Sequence, residues 1–144
     1  MKSVDVLKCK IVRDKEISYP SVSSNEDAAN LFRALGMADS ADEIFAIACL
    51  SADGSIAGVH EISHGDLSST IVHPREIFKR AILNNASSII LCHNHPSGNL
   101  RPSSEDKSTT ERLVEAGKIL GIKILDHIII SEYGHISFKN EGLL

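Results

Sequence analysis

Residues 88–106 read SIILCHNHPSGNLRPSSED, and the rest of the chain is read outward from this stretch. Residues 88–92 form a short apolar run of the kind a buried strand needs. That run delivers the chain to His93 and His95. Residues i and i+2 of an extended segment point to the same side, so both imidazoles can offer a ring nitrogen to one ion. Pro96 stiffens the exit and stops the segment continuing as a helix, and Gly98 permits a sharp turn. Asp106 then brings an oxygen from the first turn of the next helix. Two imidazoles and one carboxylate leave a fourth position for water, the pattern of a catalytic rather than a structural zinc site. A plainer reading competes at each position. A lone strand-end histidine is commonly only a polar tip, and Ser103-x-x-Asp106 is in itself a capping box with an acid favoured by the helix dipole.

On the C-terminal side, spacing predicts a helix over Ser104–Leu120, ended by Gly121. A closing hairpin follows, with strands over residues 124–131 and 135–138 around Tyr133-Gly134. On the N-terminal side, Pro74 opens a helix at its first position, with Ile77, Phe78, Ala81 and Ile82 on the inner face. Ile71-Val72 reads as a short strand before it. Glu43–Leu50 is almost continuously apolar, which suits a strand buried on both faces. Asp53-Gly54 is a hairpin turn leading back through residues 56–63. Ser23 as N-cap with Glu26 three residues on predicts a helix carrying Ala28, Leu31, Phe32 and Leu35, stopped by Gly36. Residues 4–12 alternate like an edge strand, and residues 15–19 are placed as its hairpin partner. Hairpins mixed with helical crossovers predict one α/β domain of the α+β type, a mixed sheet with helices packed on it. Its expected division is an N-terminal strand extension over residues 1–20 and the domain proper over 21–144.

The chain has 144 residues, which fits one domain, and carries 19 acids against 15 bases for a net charge of −4. With 42% apolar and 24% charged residues it matches neither a disordered nor a collagenous chain. No apolar run approaches the roughly 20 residues that span a bilayer. The first residues lack the apolar core of a signal peptide, so a cytoplasmic location is expected. Cys9, Cys49 and Cys92 form no C-x-x-C pair and read as small buried hydrophobes. An acidic balance and 4% aromatics weigh against a nucleic-acid surface. Of the other histidines, His60 and His64 read as strand-end surface residues, His73 as an N-cap-like tip, His127 as a satisfied core histidine and His135 as an ordinary strand residue. Arg75 and Arg101 read as solvated charges within reach of a substrate carboxylate or backbone.

The stretch resembles the JAMM metalloprotease signature of the MPN domain superfamily, H-x-H-P-x6-S-x2-D. His93, His95, Pro96, Ser103 and Asp106 occupy every required position. Asn94 stands where deubiquitinating members usually carry Ser or Thr. HNHPSG followed by PSxxD is instead the form of the bacterial RadC-like branch. Residues 72–78 (VHPREIF), Asn85-Ala86, residues 115–117 (EAG) and residues 125–130 (LDHIII) are similar to that branch too. The resemblance covers residue 21 to the C-terminus, and the chain is expected to be a short form without the helix-hairpin-helix region of longer RadC proteins. It implies a curved mixed sheet flanked by helices, with Zn²⁺ held by His93, His95 and Asp106. It also implies an upstream glutamate that takes the proton of the zinc-activated water. Glu43, at the start of a buried strand, is assigned that role, with Glu61 and Glu76 as rivals. Ser103 is expected to stabilise the oxyanion.

The implied reaction is zinc-dependent hydrolysis of a peptide or isopeptide bond in a protein or peptide substrate. Two other classes compete. A DNA-repair-associated or scaffold protein would show tight DNA binding with a steep salt dependence; only the RadC name suggests it. A metal-binding MPN fold without activity is the other, against which the full ligand set and Ser103 argue. The letters His93-Asn94-His95 do not make an HNH nuclease, whose residues are dispersed over a ββα unit. A zinc deaminase would need a C-x-x-C that the chain lacks.

Overall fold

The computed structural model describes residues 1–19, 21–65 and 72–144. The sheet has the order β2-β1-β3-β4-β5. Its central part is built from β1 (Glu43–Leu50), β3 (Ser88–Asn94) and β4 (Lys123–Ser131), whose side chains are buried along nearly their whole length. These are the three most apolar runs of the chain, and burial on both faces is what continuous apolar strands require. β1 and β2 (Ile56–Gly65) form an antiparallel hairpin turned at Asp53-Gly54, where Gly54 takes φ +86°. β1 also runs antiparallel to β3. β3 and β4 are parallel and joined by a helical crossover, and β5 (Gly134–Ser137) closes the sheet against β4. The sheet is therefore mixed, as expected.

Three helices cover it. α1 (Asn25–Ala34) packs Ala28, Leu31 and Phe32 against one face, beside Ile44, Ala46, Ile90 and Ile128. α2 (Pro74–Leu83) and α3 (Ser104–Leu120) cover the other, where Ile77, Phe78 and Leu113 meet Phe45, Ile47 and Leu91. Gly117 lets α3 lie close to the chain entering β4: a Cβ there would stand 2.3 Å from the Ile122 carbonyl oxygen. Gly121 ends α3 with φ +72°. No helix among the described residues is long and apolar enough to cross a membrane.

Several expectations are corrected. Residues 1–19 form no strand, and Val4, Val6 and Leu7 lie exposed. Alternation makes a strand only where a neighbour can take the backbone hydrogen bonds, and among the described residues β2 is paired with β1 alone. Cys9 is exposed there, while Cys49 and Cys92 are buried as expected. The N-cap of α1 is Ser24, which accepts the Asp27 N–H, while Asp27 in turn accepts from Ser23. The cap thus sits one residue later than the Ser23–Glu26 pair. Ile82 is 54% exposed and lies off the inner face of α2. The short strand expected at Ile71-Val72 falls partly outside the described residues, and Val72 itself is not in a strand.

Candidate metal centre

β3 continues through Asn94, so His93 lies inside the strand rather than past its end. His95 follows, its N–H donating to the Ile130 carbonyl at 3.0 Å and keeping the chain against β4. The turn is then closed by Gly98, whose N–H donates to the His95 carbonyl at 2.9 Å with φ +85°. The loop leads to the N-terminus of α3, where Ser103 Oγ accepts the Asp106 N–H at 3.0 Å and Asp106 Oδ2 accepts the Ser103 N–H at 2.9 Å. The capping-box reading of Asp106 therefore holds, and the cap fixes where the carboxylate lies. The capping box aims the carboxylate at the histidines.

The three side chains converge. His93 Nε2 and His95 Nε2 lie 3.0 Å apart. Asp106 Oδ1 is 3.2 Å from His93 Nε2, and Asp106 Oδ2 is 3.3 Å from His95 Nε2. Ligands about 2.0–2.1 Å from a tetrahedral zinc stand about 3.3 Å from one another. Each ring faces a different Asp106 oxygen at about that spacing, and the donor set of two imidazoles and a carboxylate suits zinc. Each imidazole has its other nitrogen engaged: His95 Nδ1 donates to the Asn99 carbonyl at 2.6 Å, and His93 Nδ1 meets His127 Nε2 at 2.7 Å.

Glu43 arrives through sheet register. Phe45 pairs with His93 across β1 and β3, and continuing that antiparallel register by two residues sets Glu43 beside His95. Donor atoms of Glu43, His93 and His95 all lie within 4.8 Å of one another. Glu43 Oε2 is buried and has no hydrogen-bond partner among the described residues. Two carboxylates thus face the imidazoles, and their electrostatics differ. Burial pushes the Glu43 carboxyl up to about 7, with His95 pulling it down and Asp106 pushing it up. Burial also works against ionisation of Asp106, but its close contacts with the His93 and His95 rings outweigh it and hold that carboxyl well below its ordinary value. Asp106 lies within 3.3 Å of both rings, and Glu43 also stands near enough to group with them around one ion.

Burial lowers the His93 pKa, while contact with Asp106 raises that of His95. The rivals of Glu43 stand elsewhere. Glu61 pairs with His64 at 2.9 Å, and Glu76 is tied to Lys79 at 2.9 Å and Arg80 at 3.0 Å. Ser103 and Arg101 line the cleft over the histidines, together with Ser63, Asn99 and Thr109. His73 caps α2 through its Nδ1, which accepts the Arg75 N–H, and His60 and His135 bond to Asn84 and Asn25. Sequence reasoning assigned no part to Asn94, Thr110 or His127 at the site. His127 carries a signal as a polar residue beside Asp126 in a largely apolar strand, and Asn94 as the departure from Ser or Thr within the motif.

A mixed sheet that presents a His-x-His strand end to a capped aspartate defines a domain of the JAB type. The family model of the RadC-like JAB domain matches residues 22–143, and the chain belongs to that family. It is 52% identical over 122 residues to a UPF0758 protein of Caldanaerobacter subterraneus subsp. tengcongensis, covering 85% of this chain and 52% of the relative. A UPF0758 protein of Syntrophomonas wolfei is 47% identical over 126 residues, covering 85% of this chain and 54% of the relative. One of Methanosarcina barkeri is 46% identical over 108 residues, covering 75% and 47%. The chain spans about half the length of the curated relatives it matches.

Proposed function

We propose that the chain is a zinc-dependent hydrolase that cleaves a peptide or isopeptide bond. The observation that carries this reading is Glu43 Oε2, buried and without a partner among the described residues, beside His93 and His95, whose rings also meet Asp106. His93, His95 and Asp106 would hold the ion, which supplies Lewis acidity and lowers the pKa of a bound water to about 7. Glu43 accepts the proton of the attacking water and passes it to the leaving amine. Burial raises its pKa in the fold, the direction a general base at neutral pH needs, and a bound dication would draw it back down. Ser103 accepts the Asp106 N–H, so its own hydroxyl proton is free to donate to the developing oxyanion.

The cleft over the histidines has a volume of 1360 Å³. That exceeds the roughly 300–1,000 Å³ of small-molecule pockets, which favours a polymer segment as substrate. Arg101 and the hydroxyls on the walls suit a peptide backbone and its carbonyls.

The test is Glu43→Gln, assayed on fluorogenic peptides and on isopeptide-linked conjugates. The variant should keep about one zinc per chain and lose hydrolysis by about 10²- to 10⁴-fold. A variant of full activity would remove Glu43 from the mechanism.

A further inference from the structure

His127 is fully buried in β4 and has no part in the reaction as proposed. Its ring is packed against Phe138, 4.4 Å away and nearly parallel, and against the edge of Phe45 at 5.5 Å. Both of its nitrogens are bonded: Nε2 to His93 Nδ1 at 2.7 Å, and Nδ1 to Thr110 Oγ1 at 2.6 Å. Thr110 Oγ1 also lies 2.8 Å from the Asp106 carbonyl oxygen, to which it donates. A single line of hydrogen bonds therefore runs from the His93 imidazole through β4 and α3 to the backbone of Asp106.

Proton counting gives the line a direction. To bind metal through Nε2, a neutral His93 must carry its proton on Nδ1. That proton can only be donated to His127 Nε2, which must then accept. Neutral His127 carries its own proton on Nδ1 and donates it to Thr110 Oγ1. The threonine hydroxyl, having accepted, turns its proton to the Asp106 carbonyl, an acceptor that cannot donate. Every contact then holds one proton. Reversing the line would place a proton on His93 Nε2 and close it to a ligand. His95 needs no such device, because its Nδ1 faces the Asn99 carbonyl directly.

We infer that Thr110 and His127 are positioning residues that hold His93 in the Nδ1–H tautomer, leaving its Nε2 lone pair for the metal. The inference rests on the metal-centre reading above. Outer partners of this kind orient metal-bound histidines, and removing one costs about 10- to 100-fold in metal affinity.

The test uses the full chain with Zn²⁺ as the probe. Zinc affinity is measured by competition with a chromophoric chelator for the wild type, Thr110→Val and Thr110→Ser. Valine keeps the shape and removes the acceptor; serine restores it. The expected result is affinity weakened about 10- to 100-fold in Thr110→Val and recovered in Thr110→Ser. Long-range ¹H–¹⁵N spectra of the zinc-loaded wild type should show His93 and His127 both protonated on Nδ1, a signature that mere packing would not impose. Those spectra decide the matter even where Thr110→Val fails to fold. Wild-type affinity in Thr110→Val, or a proton on His127 Nε2 with zinc bound, would overturn the inference alone. A wild-type chain that binds no zinc would overturn the metal-centre reading, and this inference with it.

Discussion

The Asn94 carboxamide brackets Glu43: its Oδ1 accepts the Ile44 N–H at 2.6 Å, and its Nδ2 donates to the Asp42 carbonyl at 3.0 Å. The residue between the two histidines thus grips the peptide groups on either side of the glutamate that faces them. Asn94 is 1% exposed, so these bonds have no water to replace them.

Asn94→Ser should therefore separate catalysis from metal binding. A serine is too short to reach both peptide groups, and a buried unpaired N–H costs about 1–3 kcal/mol of stability. Displacing the base by about 1 Å costs about 10²-fold in turnover. Steady-state kinetics beside a zinc titration should show kcat down about 10- to 100-fold with zinc affinity held. An equal fall in affinity would mean that Asn94 acts through the histidines instead.

A second prediction concerns pH in chelator-treated protein. Glu43 has its pKa raised from 4.5 to about 7 in the fold, so the folded state favours the protonated carboxyl. Its ionisation thus destabilises the fold progressively as pH rises from 4.5 to about 7, and the loss is complete above. Glu43→Gln cannot ionise and escapes this. Thermal unfolding should show the variant gaining on the wild type between pH 4.5 and 8, and little difference below; a gap independent of pH would contradict the assignment.

Glu61 and Glu76 should be dispensable. Glu61→Gln loses the exposed pairing with His64, and Glu76→Gln the exposed pairs with Lys79 and Arg80. Exposed pairs are worth about 0–1 kcal/mol, so both variants should keep zinc and hydrolysis near wild type in the same assays.

Gly117→Ala should destabilise despite raising helix propensity. The added methyl would press on the Ile122 carbonyl at 2.3 Å, with Phe78 at 3.5 Å behind it. Overpacking of this kind costs about 1–3 kcal/mol, against about 1 kcal/mol gained from replacing a helical glycine. Urea unfolding should show a net loss with an unchanged slope.

Elements with local punctuation were legible from sequence. Pro74 and Gly121 mark helix ends, Asp53-Gly54 marks a hairpin, and β1 and α3 have the bounds expected of them. The tail over residues 1–19 was not, because pairing depends on a partner strand rather than on alternation. Within the site, His93, His95 and Asp106 share 14 residues, so strand geometry and a helix cap bring them together locally. Glu43 lies 50 residues away from His93 and meets the site only through the β1–β3 register, which spacing does not reveal. It was reached through family resemblance. Thr110 and His127 meet only because the crossover through α3 lays β4 parallel to β3. No local pattern marks that contact, nor the bonds from Asn94 to the peptide groups of Asp42 and Ile44 on either side of Glu43.

The account depends most on which side chains hold the ion. A crystal structure of the zinc-loaded chain, with anomalous data at the zinc edge, tests this directly. The account predicts one ion at about 2.0–2.2 Å from His93 Nε2, His95 Nε2 and an Asp106 oxygen, with Glu43 outside bonding distance and facing the fourth position. An ion bound by Glu43 in place of Asp106, or no ion between the two histidines, would contradict it.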